Sequence, residues 1–185
     1  MDLLKYSVTN YIFGIIMIAY PTALLFMSNY MIFAPIVYTI ITGMVDVVIL
    51  GLFIFFMFRF NKSIKKNYQV DMTFWITLMV VGYVATVVMI LIIRSLYRYD
   101  LGMLTVAMIL VCVSIYFGVV LVILGVKMVK FAKSKVGNSY RKLFALYGVI
   151  LFFSGVTFAS VVLSIAGPFI LGLSFIQMGY IFSKS

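Results

Sequence analysis

One acidic residue lies deep in an apolar stretch. Asp46 stands within PIVYTIITGMVDVVILGLFIFFMF, Pro35–Phe58, 24 residues that hold no other charge. It is 11 residues from Pro35 and 12 from Phe58. At about 1.5 Å per helical residue the stretch reaches roughly 36 Å, which puts Asp46 near the middle of a bilayer core about 30 Å thick. An ionised carboxylate there costs at least about 2.5–3.5 kcal/mol. Asp46 is therefore expected to be protonated, or to face a helix bundle and find hydrogen bonds. Thr39 and Thr42 lie one to two turns away on the same helix, and Thr86, Ser114, Thr157 and Gln177 are candidate partners from other apolar segments. Two chemistries fit. Asp46 is a coupling site for a proton or cation, or it is a neutral acid that clips helices together. A transport relay ordinarily uses more than one ionisable group inside the membrane, and here there is one, which favours the clip.

Other residue types able to do chemistry are sparse. The chain has no histidine, and its four acidic residues are all aspartates. Haem ligation by His and the usual His/Glu metal sites are thereby removed. Asp2 is terminal, while Asp71 and Asp100 precede apolar segments, where free N–H groups and the helix dipole favour a carboxylate. Cys112 is the single cysteine, has no intrachain partner and reads as a small buried residue. There is no phosphate-binding loop, no Ser/His/Asp set and no cysteine pair. The expectation is a protein without enzymatic activity or cofactor.

The elements that must position Asp46 follow from composition. The chain is 66% hydrophobic and 10% charged, where a soluble domain carries about 25% charged residues. This is the composition of an integral membrane protein. The net charge of +10 sits at segment ends rather than on a basic face of a soluble fold, so no nucleic-acid partner is expected. The first apolar run passes Pro21 and continues to Met27 without a small-residue cleavage site, so it reads as a signal anchor that spans the membrane, kinked at Pro21.

The expected fold is all-α, a polytopic bundle in one domain with spans over about 6–27, 35–58, 72–93, 101–126, 143–165 and 168–182. Ser28-Asn29-Tyr30 begins the first turn, Arg59–Asp71 and Lys127–Lys142 form basic loops, and Ala166-Gly167-Pro168 makes the last turn. The basic loop after span four is expected to begin as a helical extension, with Gly137 ending it and Asn138 or Ser139 capping the next helix. Twelve of the 14 basic residues fall on one side if the termini are cytoplasmic, as the positive-inside rule requires. The last span, 15 residues, reaches only about 22 Å, so five spans is the alternative. The basic side is expected to meet anionic lipid head groups. Trp75, one turn into span three, suits the interface, and the 13 tyrosines and 18 phenylalanines are expected to face lipid or the interface.

Spans two, four and six each carry Ile-Leu-Gly, at Ile49–Gly51, Ile123–Gly125 and Ile170–Gly172, and each runs to a basic end. The pattern suggests three helical hairpins. Gly148, Gly155 and Ala159 in span five, and Ser114 and Gly118 in span four, are candidate close-packing residues, because small side chains let membrane helices approach. Such contacts serve the monomer, a homo-oligomer or other membrane subunits.

The last third, FAKSKVGNSYRKLFALYGVILFFSGVTFASVVLSIAGPFILGLSFIQMGYIF, joins a basic loop to two glycine-punctuated spans and a tight turn. It resembles uncharacterised hydrophobic multi-spanning membrane families of archaea, as does the Lys-, Tyr-, Ile- and Val-rich usage. The resemblance implies a fold type and no site. The function expected from the sequence is that of a scaffold or accessory subunit of a membrane complex. A small transporter or channel working through Asp46 is the alternative, and an enzyme acting on lipid or quinone is disfavoured by the missing His and Glu.

Overall fold

Long apolar runs with few breakers fold as long helices. The computed structural model describes residues 2–33, 35–96, 103–160 and 166–184. They form α1 (Asp2–Phe33), α2 (Pro35–Tyr68), α3 (Thr73–Leu96), α4 (Met103–Lys135), α5 (Asn138–Ala159) and α6 (Gly167–Lys184), with no strand among the described residues. Five of them, α1 to α5, are long and apolar enough to cross a membrane. α6 has 18 residues, about 27 Å, and is not among these five.

Each helix packs on its neighbours in the chain, and α1 closes the circle against α6. Successive helices run antiparallel, so the ends of α2, α4 and α6 and the start of α5 gather their Lys and Arg residues at one end of the bundle, here the basic end. The hairpin grouping expected from the sequence differs from the closest packing. A Cβ placed on Gly118 would stand 2.6 Å from the Gly155 carbonyl oxygen, and one on Gly125 2.6 Å from that of Gly148, so α4 and α5 meet backbone to backbone. A Cβ on Gly14 would likewise lie 2.8 Å from the Gly172 oxygen, joining α1 to α6. The tightest seams thus join one expected hairpin to the next. The Ile-Leu-Gly triplets do not share one environment either. Gly125 and Gly172 lie in seams, whereas Gly51 has open space around it.

The turns also depart from expectation. α1 stays helical through Ser28-Asn29-Tyr30 to Phe33, because no glycine or proline interrupts that apolar run before Pro35. Most of the expected Arg59–Asp71 loop is a continuation of α2, which at 34 residues is about 51 Å long and outruns the bilayer core. It ends at Gln69, whose φ of 57° is left-handed, with the Gln69 N–H donating to the Lys65 carbonyl at 3.1 Å. Asp71 accepts the Thr73 N–H at 2.9 Å as α3 begins, and the buried Asn61 accepts the Met72 N–H at 3.1 Å. Gly137, rather than Asn138 or Ser139, is the N-cap of α5, in extended backbone. Gly167 opens α6 against the ring of Phe158, and Pro168 sits in its first turn, where a missing N–H costs nothing. Asp100 and residues 161–165 of the expected fifth span lie outside the described residues.

The core is aromatic, which corrects the expectation that the phenylalanines mostly face lipid. Phe13, Phe53, Phe56, Phe60, Phe117 and Phe175 are all buried. Phe175 of α6 lies edge-on to Phe13 of α1 at 4.7 Å and to Phe53 of α2 at 5.7 Å between ring centres, and Tyr83 of α3 links Phe53 to Phe117 of α4. In lipid there is little hydrophobic drive between helices, so close ring packing takes its place. The exposed large apolar residues are mostly aliphatic, such as Val47 and Val48, with Phe26, Phe74 and Phe153 among them. Cys112 is exposed, not buried, on a groove between α3 and α4.

Candidate ligand cleft at Asp46

Asp46 faces inward because of its register on α2. Tyr38, Thr42, Asp46, Ile49 and Phe53 are buried at helical spacing, while Ile40, Ile41, Met44, Val47 and Val48 on the other side are exposed. Thr42 lies one turn before Asp46, and its hydroxyl donates to the Tyr38 carbonyl at 2.7 Å and lies 3.4 Å from that of Thr39. The Thr42 hydroxyl therefore bonds the helix backbone, and α1 supplies a contact to Asp46. The Tyr20 hydroxyl lies 2.8 Å from Asp46 Oδ1, as its donor, and 3.2 Å from the Thr42 carbonyl oxygen. Tyr20 directly precedes Pro21, which has no N–H to offer the carbonyl one turn back.

Beside this bond lies a cleft of about 180 Å³. Asp46 and Ile49 of α2 form one wall, with Met17, Tyr20 and Leu24 of α1 next to it. Tyr83, Thr86 and Ile90 of α3 line it too, and Phe158 of α5 and Pro168 of α6 complete the lining. Tyr83 is stacked on Phe53 at 4.2 Å, with its hydroxyl 3.9 Å from Met17 Sδ. The Thr86 hydroxyl donates to the Gly82 carbonyl at 2.9 Å. The cleft is thus a mostly apolar hollow with one carboxylate and three hydroxyls, in the half of the bundle remote from the basic end. Such a site takes a small molecule that is apolar over most of its surface and polar at one point.

Of the candidate partners named from other helices, only Thr86 reaches the cleft. Thr157 donates to Ser154 O at 2.7 Å on its own helix, and the Gln177 amide donates to Leu143 O at 3.2 Å near the basic end. Ser114 is half-buried on α4, which contributes nothing to the cleft. Gly118, Gly148, Gly155 and Ala159 lie together in the α4–α5 seam, where a Cβ on Gly118 would come 2.5 Å from the Ala159 nitrogen. Tyr20 and Tyr83 were not singled out by sequence reasoning. The available signal was a tyrosine placed in the middle of an apolar span, with a proline beside Tyr20.

The basic end has a different character. Phe60, Phe144, Tyr147 and Phe182 pack with ring centres 5.0 to 6.5 Å from Phe60. The Asn61 amide donates to Thr73 Oγ1 at 2.6 Å, and Lys65 bonds Asp71 at 2.7 Å. The Lys65 and Thr73 hydrogen bonds hold the exposed Asp71 carboxyl well below the usual carboxylate range. Lys127 lies 4.6 Å from the centre of the Trp75 ring, and Tyr140 bonds the Lys184 carbonyl. Among the described residues no three His, Cys, Asp or Glu side chains gather as metal ligands. Comparison of the chain with family models, with curated proteins and with solved structures gives no match in any of the three.

Proposed function

We propose that this is a non-enzymatic, multi-pass membrane protein that binds a small molecule in the Asp46 cleft and moves it across the bilayer as a carrier or channel. Six spans with both termini cytoplasmic complete the reading. The basic end then meets anionic head groups on the cytoplasmic side, and the cleft lies in the outer half of the membrane. The observation that carries the proposal is the cleft itself, a hollow beside a carboxylate in the apolar interior. A carboxylate in a bundle's interior is by default a candidate functional group. The test uses proteoliposomes carrying wild type or Asp46→Asn. The amide keeps the shape and a hydrogen-bond acceptor for Tyr20, so the variant folds, and it loses uptake of the solute that wild type moves. Equal uptake by the two proteins contradicts the proposal.

A second reading rests on the Tyr20–Asp46 bond. That bond ties α1 to α2 between residues far apart in sequence, as a structural clip in a scaffold or accessory subunit would. In that case Asp46→Asn leaves all behaviour intact, while Asp46→Leu weakens the fold. A stable membrane partner then co-purifies in mild detergent.

A further inference from the structure

We infer that the ligand of the Asp46 cleft is a small organic ammonium ion with a body about the size of one aromatic ring. This rests on the reading of the cleft as a binding site and names the class of molecule that it takes.

The polar groups are the Asp46 carboxylate, the Tyr20 and Tyr83 hydroxyls and the Thr86 hydroxyl, and the rest is apolar or aromatic. An inorganic cation must exchange its water shell for a ring of oxygens, typically about six or more for hard divalent ions. Here the lining side chains offer five oxygens, two from Asp46 and one each from Tyr20, Tyr83 and Thr86, which is fewer than a hard divalent ion asks for. A primary ammonium group asks for less. It has three N–H donors on one side and a carbon chain on the other, matching one carboxylate and a few hydroxyl oxygens in an otherwise apolar hollow. Tyr20, Tyr83 and Phe158 add ring faces able to hold a cation near them.

Sign and size complete the choice. An anion would meet the Asp46 carboxylate in a poorly screened interior, while no Lys or Arg lines the cleft. The cleft measures about 180 Å³, slightly more than the roughly 150 Å³ apolar cavity known to hold benzene. One ring with a two-carbon arm fits, whereas a phospholipid does not. Asp46 need not give up Tyr20 to bind it, because a carboxylate accepts up to about four hydrogen bonds.

The experiment measures equilibrium binding of radiolabelled phenethylamine to the full chain in nanodiscs, with empty nanodiscs subtracted for partition into lipid. Competition uses 2-phenylethanol, which has the same body without the charge, and potassium chloride. Wild type is expected to bind phenethylamine saturably, one per chain, with 2-phenylethanol and the Asp46→Asn variant at least about tenfold weaker. Ile90→Trp keeps Asp46 but fills the cleft, and should abolish binding whether or not Asp46→Asn folds. Saturable binding of 2-phenylethanol as strong as that of the amine, or displacement by potassium at low concentration, overturns the ligand class while leaving a binding cleft. Absence of saturable binding for all three probes overturns both the class and the cleft. Amine binding that survives Ile90→Trp places the ligand elsewhere and overturns the assignment.

Discussion

The two halves of the bundle solve the same packing problem differently. At the basic end, Phe60 is ringed by Phe144, Tyr147 and Phe182, and Tyr68 lies edge-on to Phe131 and Phe144. At the other end, α1, α2, α3, α5 and α6 surround a hollow of about 180 Å³ beside Asp46. Rings fill the first half, while in the second the hydrogen bond from Tyr20 to Asp46 borders open space. The difference separates a filled region of the bundle from one that keeps a hollow. The glycine seams sharpen the point. α4–α5 and α1–α6 are locked backbone to backbone, so the cleft sits where the looser helices, α2 and α3, face those two locked pairs.

The largest expected effect comes from breaking a seam. In Gly118→Leu the new side chain meets the Gly155 and Ala159 backbone below van der Waals distance. Overpacking costs about 1–3 kcal/mol where side chains can shift, and more where backbone is struck. The variant should lose nearly all monodisperse yield on size exclusion, while Phe153→Ala, on an exposed position of α5, keeps it. Next comes the contrast between the halves. Phe60→Ala opens a cavity in packed rings and should cost about 3 kcal/mol, whereas Ile90→Ala enlarges an existing hollow and should cost under about 1 kcal/mol, in reversible unfolding. Equal losses would erase the distinction between a filled and an open half.

Two tyrosines give smaller effects of opposite sign. Tyr20→Phe removes the bond to Asp46 and should cost about 0.6–1.7 kcal/mol, the span measured for hydrogen bonds between membrane helices. Tyr147 is fully buried, and its hydroxyl has no hydrogen-bond partner among the described residues. Tyr147→Phe removes that desolvated hydroxyl and should raise stability by about 1 kcal/mol. The smallest effect belongs to the surface. The Asp71 carboxyl titrates lower when folded than when unfolded, so its stabilisation is fully present above an unfolded value of about 3.9 and is lost only as pH falls on through the lower folded value. Asp71→Asn should therefore differ slightly from wild type at pH 7 and still at pH 3, converging with it only as pH falls through the folded value.

The helices and the inward face of Asp46 were legible in the chain because apolar length and helical period are local properties. The small residues of spans four and five were legible as a pattern too, since Gly148, Gly155 and Gly118 have no reason to recur in a lipid-facing stripe. Their pairing with one another was not, because it depends on which helices become neighbours. The same limit hid Gly14 opposite Gly172 and Tyr20 opposite Asp46, partners that are 158 and 26 residues apart. Lipid makes the direction of a phenylalanine unreadable, since either side of a membrane helix accepts it. That is why the aromatic core appeared only in three dimensions. Asn61 as a cap for α3 was missed because the basic stretch around it reads as a loop.

The central claim is that the cleft beside Asp46 is open to a ligand while the ring-filled half is closed. Cysteine placed at Ile90 or at Phe56, each in a Cys112→Ser background, tests it in intact cells with a membrane-impermeant thiol reagent. The account predicts that Ile90→Cys labels from outside and is protected by phenethylamine, and that Phe56→Cys stays unlabelled. Failure of Ile90→Cys to label, or labelling of both positions alike, would contradict it.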